Sequence, residues 1–337
     1  MIPHNRPTLG HDELEAAARV LSSGWVAQGR EVEQFEHEVC DYLGLDRGHA
    51  IALSSGTAAL FLALWALDAK GKRVAIPVYS CAALRNAVVM SGAESIPVDV
   101  DEDSPNIDLA QVVKERADLA VIAHIFGVPS RCDQREFPIP LIEDCAQSFG
   151  ARVDGRAVGL GGKVGIFSFY ATKMLTAGGQ GGMLVSKDAS IVEAVRDYRE
   201  FDCRHDQKPR FNLQMTDLQA AIGRAQLSNL DSFMRRRRAI YAQYLEAGLP
   251  MWPHNIQRGL EINYYRAIMR TNQAGRVIRT LGDAGIGAIV PIADWELLDE
   301  GRSVRARVLA QSTVSLPIYP SLRNSVVADI INAASLN

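Results

Sequence analysis

The chain has 337 residues and a net charge of −3, with 47% hydrophobic and 22% charged residues. That length suits one large α/β domain with a smaller companion, and the charge balance points neither to nucleic acid nor to an anionic membrane surface. The N-terminal stretch MIPHNRPTLGHDELEAA lacks the apolar core of a secretory signal, and no run approaches the roughly 18 apolar residues of a membrane span, so a cytoplasmic location is expected. Cys40, Cys81, Cys132, Cys145 and Cys203 form no CxxC pair and the histidines no HExxH, so neither a disulfide framework nor a metal site is expected.

Leu14, Ala17, Ala18 and Leu21 recur at helical spacing, as do Val32, Phe35, Val39 and Tyr42, which predicts two amphipathic helices at the start. The period then changes. HAIAL (49–53) reads as a strand, TAALFLALWAL (57–67) as a buried helix and RVAIPV (73–78) as a strand. AALRNAVVMSG is a helix, ESIPVDV a strand, IDLAQVVKE a helix, and DLAVIAHIF and IPLIED are strands. Further strands are predicted at 164–169 and 182–186. Such alternation implies βαβ crossovers and a mainly parallel sheet covered on both faces. A long helix follows from Met215 to about Ala247, with a domain boundary in its C-terminal half. We expect residues 1–235 to form the large domain and 236–337 a small α+β domain, broken by Pro250, Pro253, Pro291 and Pro317.

Three stretches stand out. In SSGTAAL (54–60), Gly56 permits a sharp turn and Thr57 begins a helix, whose free N–H groups and dipole suit a phosphate; an ordinary Ser/Thr cap reads the same way. In IEDCAQSFGA (142–151), Asp144 ends a strand at the edge where open α/β sheets bind ligands, and Gln147 lies one helical turn on. In FSFYATKMLTAGGQGGML (167–184), Ser168 and Lys173 bracket a change of direction, with Gly178, Gly179, Gly181 and Gly182 just beyond. A phosphate cradle, a carboxylate at a strand end and a lysine past the next strand are together what pyridoxal 5'-phosphate requires: an amine for a Schiff base, an acid for the pyridine nitrogen and an anchor for the phosphate.

These motifs, with SGWVAQGREVEQFE, FNLQMTDLQAAIGRAQL (211–227) and SLPIYPSL, make the chain resemble the DegT/DnrJ/EryC1/StrS sugar aminotransferases over nearly its whole length. The resemblance implies the fold type I (aspartate-aminotransferase-like) α/β architecture and transfer of an amino group, by family analogy from glutamate, to a nucleotide-linked keto-sugar. Carried over by position, Lys173 is the Schiff-base lysine, Asp144 the pyridinium partner and Gln147 a neighbour of the ring hydroxyl. Gly56, Thr57 and Ser168 hold the phosphate. Asn212 reaches the phosphate of a neighbouring subunit, which implies a homodimer with shared active sites.

The chain departs from that pattern in places. Cys81, in PVYSC, stands where the family has an aromatic stacked on the ring; Gln180 and Gln214 replace a usual Glu and a common basic residue. The segment 126–140 leaves room for one or two helical turns where the family has a fuller crossover helix. Two other activities share the cofactor. A sugar dehydratase would carry histidine at position 173, and a desulfurase would need a cysteine on a mobile loop. A non-catalytic cofactor-binding protein is the alternative of another class. The RRRR run (235–238) reads as a solvated helix face, His124 as a structural hydrogen-bonding residue, and Trp25, Tyr79, Tyr170 and Tyr319 as core or pocket aromatics.

Overall fold

The computed structural model describes residues 1–252 and 257–335. Pro253, one of the expected breakers, lies outside the described residues. The strands in chain order are β1 (Ala50–Leu53), β2 (Arg73–Pro77), β3 (Glu94–Val98), β4 (Leu119–Ala123), β5 (Leu141–Asp144), β6 (Arg152–Val153), β7 (Arg156–Ala157), β8 (Val164–Ser168), β9 (Gly182–Val185), β10 (Met251–Trp252), β11 (Leu260–Glu261), β12 (Ala267–Arg270) and β13 (Thr313–Leu316). The helices are α1 (His11–Ser23), α2 (Arg30–Leu43), α3 (Gly56–Ala66), α4 (Ala83–Met90), α5 (Leu109–Lys114), α6 (Ala189–Arg199), α7 (Asp217–Glu246), α8 (Ala274–Asp283), α9 (Val304–Ser312) and α10 (Asn324–Ala334).

Seven strands form the central sheet in the order β1-β9-β8-β5-β4-β2-β3. From β8 to β3 the neighbours run parallel, while β9 is antiparallel to both β1 and β8. Except at the edge strand β3, the short apolar runs are buried on both faces because helices cover both, and side-chain alternation sorts each strand between two cores. Ile51, Leu53, Ile142, Ile166 and Leu184 belong to one core, which also takes Leu60 and Leu64 of α3. Ala50, Ala52, Phe167, Met183 and Val185 face the other way, against Phe35 and Val39 of α2 and Leu230 of α7. A third core surrounds the small sheet β10-β12-β13 and takes Ile240, Tyr241 and Tyr244 from the end of α7. The β4–β5 crossover has two single 3-10 turns, Ile125–Gly127 and Gln134–Glu136, in place of an α-helix.

Two expectations fail here. In α1 the supposed inner residues Leu14 and Leu21 are 68% and 60% exposed, and Glu13, Ala16 and Val20 are buried instead. Small side chains decide this: Ala16 and Val20 fit against Ala221 of α7, and the Glu13 carboxylate accepts from Gln226 Nε2 at 2.7 Å. Nor is the arginine run a solvated face throughout. Arg237 is 2% exposed because it shares a helix face with Leu230, Ile240, Tyr241 and Tyr244.

Candidate active site

Register brings the sequence motifs to one edge of the sheet. Leu53, Gly182 and Ser168 lie in one row across β1, β9 and β8, and Ala123, Asp144 and Ile166 in another across β4, β5 and β8. All but β9 end at this edge. Gly56 opens α3 just past Leu53, with Ser55 as N-cap, its Oγ accepting from Ala58 N–H at 3.1 Å. A Cβ on Gly56 would stand 2.8 Å from that of Ser168, and one on Gly182 would stand 2.3 Å from the Ser55 carbonyl carbon. Glycine at these two positions therefore lets three segments close around the start of α3. The N–H groups of Gly56 and Thr57 precede the first intrahelical bonds, and the Thr57 side chain is exposed beside them.

Beyond β8 the chain makes a tight closed loop. Phe169 N–H donates to Gly181 O, Ala177 N–H donates to Phe169 O, and Lys173 N–H donates to Tyr170 O. Gly178 and Gly179 return the chain with φ of 75° and 140°, which favour glycine. The lysine sits in its glycine-rich setting because this loop must reverse within a dozen residues and leave Lys173 facing the sheet edge.

Asp144 is buried, 7% exposed. Its Oδ1 accepts from Ala146 N–H at 2.9 Å, and among the described residues it forms no ion pair. Burial lifts its pKa above the ordinary aspartate value, opposed by the Ala146 N–H and the charge of Lys173. Cys81 is open to solvent at the same place. Loss of hydration among its neighbours pushes the thiol up, Asp144 adding to the effect and Lys173 opposing it. Gln147 Oε1 accepts from Phe126 N–H at 2.7 Å. Lys173, Asp144 and Cys81 thus share one field, with Gly56, Thr57 and Ser168 along the adjacent row. Asn212 is exposed, its Oδ1 accepting from Gln214 N–H at 3.1 Å, and it makes no polar contact with the other predicted residues.

Adjacent to Asp144, Glu143 is committed to structure. Its carboxylate accepts from His124 Nε2 at 3.0 Å and from the N–H groups of Gly159, Gly161 and Gly162. His124 Nδ1 accepts from Ser130 N–H at 3.0 Å, which assigns the ring proton to Nε2. Burial pushes the Glu143 pKa up, but the His124 hydrogen bond and the glycine N–H groups outweigh it, and the net shift is downward. His124, Cys132 and Glu143 have metal-ligand chemistry and lie close together, but the His124 and Glu143 ligand atoms are spent on these bonds.

Tyr265 was not among the residues expected at the site. Its ring is buried, with the Lys173 Nζ 5.3 Å from its centroid. Only NYYR (263–266), two aromatics before a cation, marks the place, and nothing in that pattern specifies a partner 92 residues upstream.

The family model for the DegT/DnrJ/EryC1/StrS aminotransferases matches residues 7–335. The chain belongs to this family. A dTDP-3-amino-3,4,6-trideoxy-alpha-D-glucose transaminase of Streptomyces venezuelae is 33% identical, over 95% of this chain and 91% of its own. A GDP-perosamine synthase of Vibrio cholerae is 29% identical, over 99% and 92%. Among solved structures, the aminotransferase TlmJ of Streptoalloteichus hindustanus superposes with a TM-score of 0.92 at 30% identity, covering 99% of this chain and 97% of its own. DesV of S. venezuelae, solved with a ketimine intermediate, gives 0.88 at 30% identity, covering 96% and 94%. Within this aminotransferase the sheet edge carrying Asp144 and Ser168 is the candidate centre. The residues present fit pyridoxal 5'-phosphate: Asp144 is a buried acid short of donors, which a protonated ring nitrogen would supply, and the start of α3 offers N–H groups to a phosphate.

Proposed function

We propose that this nucleotide-sugar aminotransferase works with pyridoxal 5'-phosphate joined to Lys173, and that it passes an amino group from an amino-acid donor, by family analogy glutamate, to a nucleotide-linked keto-sugar. The observation that carries the reading is a lysine amine close enough for its charge to act on a donor-poor buried carboxylate, at the sheet edge where a helix begins with free N–H groups. When bound, the cofactor supplies an electron sink for the charge left when a carbon loses its proton.

The protein's own groups do the rest. The Gly56 and Thr57 N–H groups, the Thr57 hydroxyl and Ser168 bind the phosphate. Asp144 keeps the ring nitrogen protonated, Gln147 stands by the ring hydroxyl, and Cys81 packs where the family has an aromatic. Once the donor has displaced it, Lys173 Nζ takes the proton from the donor's α-carbon. A homodimer with Asn212 serving the partner site agrees with the apolar side chains a single chain leaves open, among them Leu14, Leu21, Trp25 and Phe211.

Purified protein should be yellow, and excess glutamate should convert its visible band to that of the pyridoxamine form. A band unchanged by donor would support a binding-only protein. Lys173→Ala should lose the borohydride-reducible adduct and at least about a thousandfold in rate; an adduct that survives would place the chemistry on another lysine.

A further inference from the structure

Tyr265 is held from several sides. The preceding residue, Tyr264, has φ of 55°, an unusual left-handed conformation for a bulky residue. That kink sends the two neighbouring rings to different cores. Tyr264 lies 4.8 Å from Tyr241, beside the small sheet, while Tyr265 joins the core of α2 and α7. Asn263, fully buried, pins the segment to the turn after Asp144: its Nδ2 donates to Gln147 O at 3.0 Å and Phe149 O at 3.1 Å, and its Oδ1 accepts from Tyr265 N–H at 3.0 Å.

Charge is distributed unusually around that ring. Arg237 is buried, with no acidic partner among the described residues, and its guanidinium donates to the carbonyls of Tyr265 at 3.1 Å and Ile318 at 2.9 Å. A buried guanidinium without a carboxylate is costly, and the bonds that offset the cost here tie the Tyr265 and Ile318 carbonyls to α7. Arg266 lies 5.4 Å from the Tyr265 centroid, and its other side-chain contacts are His4 and Ser315. Lys173 is the third cation. Its charge acts on Tyr265, Asp144 of β5 and Cys81, and Arg266 lies over the same ring. Burial raises the Tyr265 pKa, but Lys173 and Arg266, helped by a Thr172 hydrogen bond and Arg237, bring the net shift below the ordinary tyrosine value.

We propose that Tyr265 is a positioning residue for the Lys173 amine: its locked ring offers the ammonium a π face and holds it toward Asp144, in competition with Arg266 for the same ring. This rests on the reading of Lys173 as the cofactor-bearing lysine. The amine is thereby kept within reach without a direct salt bridge, which would have to break before the lysine could react.

The test uses protein reconstituted with pyridoxal 5'-phosphate and follows the visible band against pH. Tyr265→Leu removes the π face that favours the protonated adduct, so the midpoint should fall by about 0.5–1 pH unit, and kcat about tenfold with the KM for sugar unchanged. Tyr265→Phe keeps the ring and should restore both values to those of the wild type. Arg266→Gln removes the competitor and should move the midpoint upward, an arm that stands even if Tyr265→Leu fails to fold. An unmoved midpoint in Tyr265→Leu and Arg266→Gln, or a Tyr265→Phe shift as large as that of Tyr265→Leu, would overturn the inference alone. A wild-type chain with no borohydride-reducible band would overturn the reading of Lys173 and the inference together.

Discussion

Glu143 and Asp144 are adjacent in β5, both buried and both acidic, yet they face opposite sides of the sheet and have opposite fates. Glu143, on the side of Leu141, meets three glycine N–H groups and a histidine; Asp144, on the side of Ile142, has one N–H and an opening toward Lys173. The pKa shifts follow, down for the first and up for the second. A carboxylate whose acceptor sites are filled belongs to the scaffold, while a buried one left short of donors waits for a ligand to supply them.

Neutralising each acid in turn tests the contrast most directly. Asp144→Asn should lower the turnover rate by about 10²–10³-fold with an unchanged or raised melting temperature, since the variant no longer buries an unpaired charge. Glu143→Gln should do the reverse. Its amide NH2 would face glycine N–H donors, so urea unfolding should report a loss of about 3 kcal/mol, with the rate per folded molecule largely kept. If both variants lose only activity, or both only stability, the division between the two faces of β5 is wrong.

Acid sharpens the same contrast. The folded-state pKa of Glu143 lies below its usual 4.5, so its contribution to stability is present above that pH and is lost as pH falls through the folded value. Asp144 moves the other way. Its raised pKa lets it take up a proton at a higher pH than an ordinary aspartate, so cofactor affinity should fall on acidification while the fold still holds. Titrating cofactor binding alongside circular dichroism separates the two limbs, and Asp144→Asn should remove the first. The smallest expected effect is at the cradle: Thr57→Ala deletes one exposed donor and should weaken binding of the phosphorylated cofactor about fivefold, measured by equilibrium dialysis.

The alternation of strands and helices was legible because each element is a short apolar run between turn residues, and burial on both faces requires such runs. Asp144 was legible as a sheet-edge residue for the same reason. The inner face of α1 was not: Leu14 and Leu21 are the larger apolar residues, but the fit of Ala16 and Val20 against Ala221 belongs to a partner more than 200 residues away in the chain. Arg237 was hidden inside a run of four arginines, three of which reach solvent or the surface of α10. Tyr265 depends on a left-handed turn at Tyr264 and on Lys173, and neither leaves a periodic trace.

The position of β9 also makes it the link between two parts of the candidate site. Because β1 and β8 touch only through β9, the segments that begin at Ser54 and end at Ser168 have no shared hydrogen bonds until residues 182–185 slot between them. Displacing residues 182–185 would therefore remove the strand that joins β1 to β8, and with it the tie between the start of α3 and the end of β8, while the pairings among β2, β3, β4 and β5 do not involve β9.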